Sequence, residues 1–201
     1  MKKLFGLIFI LGIFTSVQAQ FSNELIFGLN ATQIGGDNLA GFNQIGLKTG
    51  VSSVIGLRNG WKARIELTYS QKGSRRPVKA DDPNARDKFF IRVNYFEIPI
   101  LGEFTLNKNL SVLVGPTIGY LLSAKVVSGI TEQDQSDQYF KFDYSVLTGF
   151  HYAINERTNV ALRFSNSILP INIGTTNTLR NFYNTTTSIT FRYIFLGLTR
   201  N

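Results

Sequence analysis

The sequence contains no cysteine, and only 17% of its 201 residues are charged. The absence of cysteine excludes disulfides, thiolate metal sites and a lipid anchor on an N-terminal cysteine. Beyond the first twenty residues, no stretch approaches the roughly 18 uninterrupted apolar residues of a transmembrane helix. Aromatic residues reach 13%. Few charges and many aromatics favour a lipid-facing surface, and a chain of this kind inside a bilayer must cross it as strands.

The N-terminus has the pattern of a secretory signal peptide. Lys2 and Lys3 precede an apolar run over residues 4–17, and small residues lead to a cleavage position after Ala19. We therefore expect residues 1–19 to be removed and residues 20–201 to form one β-barrel domain. Without the two lysines, the formal net charge falls from +8 to +6.

Apolar and polar residues alternate with period two along most of the remaining chain, which is the signal of half-exposed β-strands. In the third segment Trp61 and Ile65 lie on one face, and Arg64 and Glu66 lie on the other. No Asp, Glu, Lys or Arg falls on any of the apolar faces. The eight segments predicted as strands cover approximately residues 24–34, 44–57, 61–71, 89–106, 111–125, 139–154, 159–168 and 184–198.

The fourth segment does not keep one register. In its first part, the predicted outward side chains are Ile91, Val93 and Tyr95, and the predicted inward ones are Arg92 and Asn94. Continuing this register would place Glu97 and Glu103 on the apolar face. A one-residue shift after Tyr95 turns Phe96 outward and both carboxylates inward, so a β-bulge is predicted there.

Short and long connections alternate along the chain. Only about three or four residues link the second and third, fourth and fifth, and sixth and seventh segments, whereas the other four links run roughly nine to seventeen residues. Outer-membrane barrels have this asymmetry, with tight periplasmic turns and longer extracellular loops. The pattern predicts the outer membrane of a Gram-negative bacterium, with both termini periplasmic.

Alternation alone does not say which face is inside, since a soluble periplasmic ligand-binding barrel has the same period with an apolar lumen. Volume favours the apolar face outward, because an eight-stranded barrel has no room for so many rings. The predicted fold is all-β, an eight-stranded antiparallel up-and-down transmembrane β-barrel. Its aromatic girdles would contain Trp61, Phe104, Tyr152, Tyr193 and Phe195 at the periplasmic rim, and Tyr69, Phe140 and Phe142 at the outer rim.

The polar faces place many charged groups in the lumen, where they must be paired. They predict a salt-bridged network that closes the barrel, and a narrow ion path is the alternative. His151 is the only histidine, and no Ser-His-acid set is evident beside it, so a lumen histidine is favoured over a lipid-modifying enzyme. The predicted network comprises Lys48, Lys62, Arg64, Glu66, Arg92, Glu97, Glu103, Lys141, Asp143, His151, Arg163 and Arg192.

A basic stretch over residues 72–88 is predicted to be a loop near lipid phosphates. Its alternative interpretation is a docking patch for an acidic partner or for the phosphorylated outer leaflet. The charge forms no stripe, which disfavours nucleic acid, and no cofactor, metal or small-molecule substrate is indicated. The cations of this patch are Lys72, Arg75, Arg76, Lys79, Arg86 and Lys88.

The segment Asn94–Leu101, NYFEIPIL, resembles the Tyr-Leu-Glu-Ile-Pro-Leu-Leu segment of the PorT-like outer-membrane β-barrel proteins of Bacteroidetes-type bacteria. Val114-Gly115-Pro116 in the next strand is similar too. The resemblance implies an outer-membrane barrel and no catalytic residues, and some members are implicated in type IX secretion. We therefore expect a non-enzymatic structural or adaptor protein, surrounded by outer-membrane lipid, with an envelope or secretion-complex protein as its partner.

Overall fold

The chain forms a closed antiparallel β-barrel of eight strands, and the predicted fold class is confirmed. The computed structural model describes residues 21–37, 39, 41–77, 89–173 and 180–196. The predicted signal peptide lies outside these ranges and stays a prediction. The strands are β1 (Phe21–Gly35), β2 (Gln44–Gly56), β3 (Trp61–Arg75), β4 (Phe89–Thr105), β5 (Leu110–Ser128), β6 (Thr131–Asp134), β7 (Phe142–Ala153), β8 (Thr158–Ser167) and β9 (Tyr183–Leu196).

Each barrel strand pairs with its neighbours in the chain, and β1 pairs with β9 to complete the ring. The short strand β6 stands outside the ring and pairs only with the far end of β5. Closure leaves the barrel itself without an open edge, which is what a bilayer requires of a sheet. Among the described residues, no helix has the length and apolar character needed to cross a bilayer.

The two faces of the wall differ as the alternation predicts. On β1, Leu25, Phe27 and Leu29 are exposed outside, whereas Asn30 and Thr32 are buried inside. Phe27, on the outside, is 61% exposed. The apolar face therefore surrounds the barrel, and the prediction drawn from side-chain volume is confirmed.

Three tight turns lie at one end of the barrel, which we call the turn end, and the longer links lie at the other, the loop end. At the first turn Asn59 and Gly60 both have positive φ, the conformation that a two-residue hairpin turn needs. In the other two turns, Asn107 and Asn155 each accept two backbone N–H groups on the side-chain oxygen. Asparagine is frequent in turns because it makes this local bond.

The predicted bulge in β4 is wrong. Burial alternates without a break from Ile91 to Glu103, and the irregularity belongs to the pairing with β5, where Asn94 faces Ser123 and Tyr95 faces Leu121. The extra residue therefore lies in β5. Ile91, Val93 and Tyr95, predicted to face outward, all point into the barrel.

These inward residues form an apolar plug at the loop end of the lumen. The plug consists of Ile34, Ile91, Val93, Tyr95, Leu121, Ala124, Tyr139 and Ile171. Tyr139 was predicted to begin a strand, but it makes only an isolated bridge to Asn172, and β7 begins at Phe142. Apolar side chains can thus face the lumen at this end, because they pack against one another there.

Candidate functional site

The polar part of the lumen is built around Glu66, on the inner face of β3. Arg163 of β8 binds it through both terminal nitrogens, with N–O distances of 2.8 and 2.9 Å. Arg192 of β9 donates to Glu66 Oε1 at 2.8 Å and to Glu24 Oε2 at 3.0 Å. Both guanidinium groups are fully buried, so the paired carboxylates are what makes their burial tolerable.

Towards the turn end, Arg64 connects the next layer. It binds Glu24, Ser52 and Glu103, and its Nη2 lies 2.8 Å from Glu103 Oε2. Lys62 approaches the other oxygen of Glu103 at 3.4 Å and keeps 30% of its side chain exposed. The strand pairing explains this cluster, because the side chains come from inward positions on neighbouring strands.

A third layer of charged side chains lies on the other side of Glu66, between it and the apolar plug at the loop end. Lys48 Nζ lies 2.8 Å from Glu97 Oε2, and Lys72 Nζ lies 2.7 Å from Glu97 Oε1 and 3.1 Å from Asp143 Oδ2. Ser167 donates to Asp143 Oδ1 at 2.7 Å. Two cations and two carboxylates thus balance each other in this layer.

The structure brings ten of the twelve side chains predicted for the lumen inside the barrel. Two predictions are wrong: Arg92 is exposed on the outer wall with its guanidinium over the Phe90 ring, and Lys141 is exposed just before β7. The prediction for Arg92 failed because the inward and outward faces of β4 before Phe96 are the opposite of those predicted. The ten inside are Lys48, Lys62, Arg64, Glu66, Glu97, Glu103, Asp143, His151, Arg163 and Arg192.

Sequence reasoning missed two members of the network. Lys72 was assigned to the basic loop, but β3 continues to Arg75 and Lys72 is buried in the lumen. Glu24 was taken only as the start of a strand, although its parity with Ile26 and Gly28 already placed it on the inner face. Of the other patch residues, Arg75 and Arg76 are exposed at the loop end, and Lys79, Arg86 and Lys88 lie outside the described residues.

A vestibule of about 410 Å³ opens at the turn end, and His151 lies in its wall. His151 Nδ1 lies 3.5 Å from Glu103 Oε2 and 3.4 Å from Arg64 Nη2. Ser111 stands directly across from His151 in the β5–β7 pairing, so the structure brings together a serine, a histidine and an acid that the sequence does not show to be neighbours. Among the described residues, His151 Nε2 has no hydrogen-bond partner.

Among the described residues, no hydrogen bond joins the Ser111 hydroxyl to the imidazole. That hydroxyl lies 3.5 Å from Thr105 Oγ1 instead. Burial and the Arg64 guanidinium beside Nδ1 oppose a positive charge on the ring, which a general base must carry during acyl transfer, and Glu103 offsets them only in part. The geometry therefore holds His151 as a buried lumen side chain.

Two solved barrels show a similar architecture. The crystal structure of Neisserial surface protein A is 14% identical, with a TM-score of 0.54 over 87% of this chain and 96% of that chain. Ail, the attachment invasion locus protein of Yersinia pestis, solved in complex with the heparin analogue sucrose octasulfate, is 13% identical, with a TM-score of 0.51 over 89% of this chain and 100% of that chain. At these identities the likeness shows the fold alone.

No curated protein matches the chain. The sequence model of the outer membrane protein beta-barrel domain matches residues 12–172, most of the chain. An apolar outer face, a polar paired lumen and alternating turn and loop lengths are what such a domain requires. The chain belongs to this family, and it is an outer-membrane β-barrel protein of the Gram-negative type.

Proposed function

We propose that this protein is a non-enzymatic barrel with a closed lumen that serves the cell envelope as a structural or adaptor component. The carrying observation is the filled interior: Arg163, Arg192 and Glu66 occupy its middle, and the apolar plug occupies its loop end. An eight-stranded barrel has only enough interior for its own side chains. Transport through the lumen is therefore disfavoured. The surfaces at the two ends of the barrel remain as the sites where the protein can act.

The turn end is proposed to face the periplasm and the loop end the cell surface. The support is the contrast between three tight turns and the longer links, which follows the common asymmetry of such barrels. The absence of cysteine makes a direct test available. Ile130, at the tip of the β5–β6 hairpin, is fully exposed, and an Ile130→Cys variant should react with a membrane-impermeant maleimide on intact cells. Lys108→Cys, at a tight turn, should react only after the cells are opened.

A secretion or envelope complex is the proposed partner, and the PorT-like segment is the support for a type IX-like pathway. Glu97 and Pro99 of that segment point into the barrel, where Glu97 binds Lys48 and Lys72. The segment therefore builds the wall and the lumen. An adaptor must then contact its partner through the loops or through the turn-end rim.

Co-purification in mild detergent tests the adaptor role. Tagged protein at native expression level should retain a stoichiometric envelope protein. A triple variant of the exposed turn residues, Arg58→Gln, Lys108→Gln and Arg157→Gln, should lose a periplasmic partner, whereas Ile130→Ser at the opposite end should not. Recovery of the barrel alone under all these conditions would contradict an adaptor role and leave a purely structural one.

The non-enzymatic part of the proposal predicts the behaviour of His151. His151→Ala should leave the acyl-chain profile of envelope lipids unchanged, since Arg64 disfavours the charged imidazole and the Ser111 hydroxyl is directed to Thr105. Lipid mass spectrometry of matched strains measures this profile. A change seen with both His151→Ala and Ser111→Ala, and absent with Ser52→Ala, would establish the enzyme alternative.

A further inference from the structure

Two cations stand side by side on the outer wall at the loop end, where sequence reasoning had placed one of them inside. Arg92 of β4 and Lys125 of β5 are directly opposite each other in the strand pairing. Like charges in this position repel and destabilise a sheet unless an anion lies between or above them. The pair therefore needs an explanation that the lumen network does not supply.

The nearby carboxylates compensate the pair only in part. Glu132 of β6 lies 2.5 Å from Lys125 Nζ, and both side chains are about half exposed. Asp134 pairs with Lys125 in the strand register. Hydrogen bonds from Ser136, and then the Lys125 and Lys141 cations, hold the pKa of its exposed carboxyl below its usual range. Neither contact reaches Arg92, whose guanidinium lies 5.2 Å from the centre of the Phe90 ring. A cation–π contact of this kind uses the face of the guanidinium, and its N–H groups lie along the edge, where a phosphate can accept them.

The height of the pair on the barrel indicates what it meets. Outward positions of β4 are apolar or small from Phe104 to Phe96, and the Asn94–Ser123 pair then begins the polar zone. Arg92 is twelve positions beyond Phe104. At about 3.3 Å per residue and a tilt of about 40°, this is roughly 30 Å along the membrane normal. The apolar band of such barrels is about 25 Å tall, so Arg92 and Lys125 reach the headgroups just beyond it.

The wall beside the pair adds to the positive charge. Gly73 of β3 pairs with Arg92, and the exposed Arg75 follows two residues later on the same outer face. Arginine and lysine donors side by side match a phosphate group, which accepts several charge-assisted hydrogen bonds at once. The lipid that carries phosphates at the cell-surface face of a Gram-negative outer membrane is the lipid A part of lipopolysaccharide.

We propose that Arg92 and Lys125, flanked by Arg75, form a binding site on the outer wall for a phosphate of lipid A. The inference rests on the proposed placement of the loop end at the cell surface. The maleimide reaction of Ile130→Cys tests that placement separately. A labelled hairpin without lipid A binding would overturn this inference alone.

The experiment titrates purified protein, in nanodiscs of zwitterionic phospholipid, with bisphosphorylated lipid A and counts bound lipid by native mass spectrometry. Arg92→Gln with Lys125→Gln should weaken binding about tenfold or more, since both charge-assisted hydrogen-bond donors to the phosphate are removed. The matched control is Arg58→Gln with Lys108→Gln at the turn end, which should bind as the parent does. All four side chains lie on the surface or at its edge, so we expect both variants to fold.

Two further arms separate phosphate recognition from contact with acyl chains. Dephosphorylated lipid A should bind the parent and the Arg92→Gln, Lys125→Gln variant equally weakly. Glu132→Gln removes the carboxylate that competes for Lys125 and should tighten binding of the bisphosphorylated lipid. Equal binding of both lipids by the parent, or no loss in the double variant, would overturn the proposal.

Discussion

At the scale of residues, the lumen network depends on sharing. Among the described residues, six cations and five carboxylates line it, and Glu24, Glu66, Glu97 and Glu103 each bind more than one cation. A carboxylate that serves two buried cations is worth more to the fold than either pair alone. Its removal leaves two charges without compensation.

Glu66 is the clearest case for a test. Glu66→Gln removes the carboxylate partner of Arg163 and one of the two carboxylate partners of Arg192. We therefore expect it to destabilise the barrel by about 3–5 kcal/mol. Urea titration in lipid vesicles measures this, with emission from Trp61, the only tryptophan, as the signal. Arg58→Gln, in an exposed turn, should stay within about 0.5 kcal/mol of the parent. Equal midpoints for the two variants would contradict the shared role.

The sequence could predict most of this network because alternation assigns each charged residue to a face. It failed where alternation is ambiguous. Ile91, Val93 and Tyr95 are apolar whether they face lipid or the plug, and hydropathy does not separate these two environments. Because Ile91 and Val93 were predicted to face lipid, Arg92 between them was wrongly predicted to face the lumen. Lys72 was missed for another reason: Gly73 and Ser74 suggest a loop, yet the pairing with β4 continues past both.

At the scale of elements, inward-facing glycines let neighbouring strands approach closely. A Cβ at Gly28 of β1 would lie 2.1 Å from the Ile189 carbonyl oxygen and 2.7 Å from Thr190 Cα, both on β9. Those atoms belong to the hydrogen-bonded backbone of β9, so they cannot turn away as a flexible side chain would. Glycine at this position therefore permits the tight curvature of a small barrel.

Substitution at Gly28 tests this role. Gly28→Ala should destabilise the barrel by about 1–3 kcal/mol through overpacking at the β1–β9 pair. Gly56→Ala is the matched control, because nothing lies within 4 Å of its Cβ position. The heat-dependent shift in gel mobility, scored against urea concentration, compares the two. An unchanged midpoint for Gly28→Ala would show that the wall adjusts at this site.

Strand existence was easier to predict than strand ends. All eight barrel strands were predicted, since each carries enough alternating residues to specify its face. The far end of β5 and the short β6 were not. There β5 extends beyond β7 while staying paired with β4, and its other edge pairs with Thr131–Asp134, a polar run with no apolar face to reveal it.

At the scale of the whole molecule, the lumen is closed twice. The ion-paired layers fill its middle, beyond the turn-end vestibule, and the apolar plug fills its loop end. The two closures use different chemistry, so a change that weakens one leaves the other in place.

This redundancy predicts the conductance of a lumen variant. Glu66→Ser with Arg163→Ser removes a buried pair together and leaves Arg192 bound to Glu24, which limits the loss of stability. We expect no current steps in planar bilayers from the parent or from this variant, because the plug still blocks the loop end. Heat-modifiable mobility of the inserted protein serves as the control for folding. Steps from the double variant would show that the ion pairs alone close the barrel.

The pairing of the first strand with the last has a consequence for assembly. Arg192, on β9, neutralises Glu24 of β1 and Glu66 of β3, and β9 is the last strand of the ring to be synthesised. Until it docks, both carboxylates lack one of their cations and the edge of β1 lacks its hydrogen-bond partners. The seam and the charge balance are therefore completed by the same event. A ring that lacks β9 therefore lacks backbone pairing and charge balance at the same place, so we expect few partly closed barrels to persist.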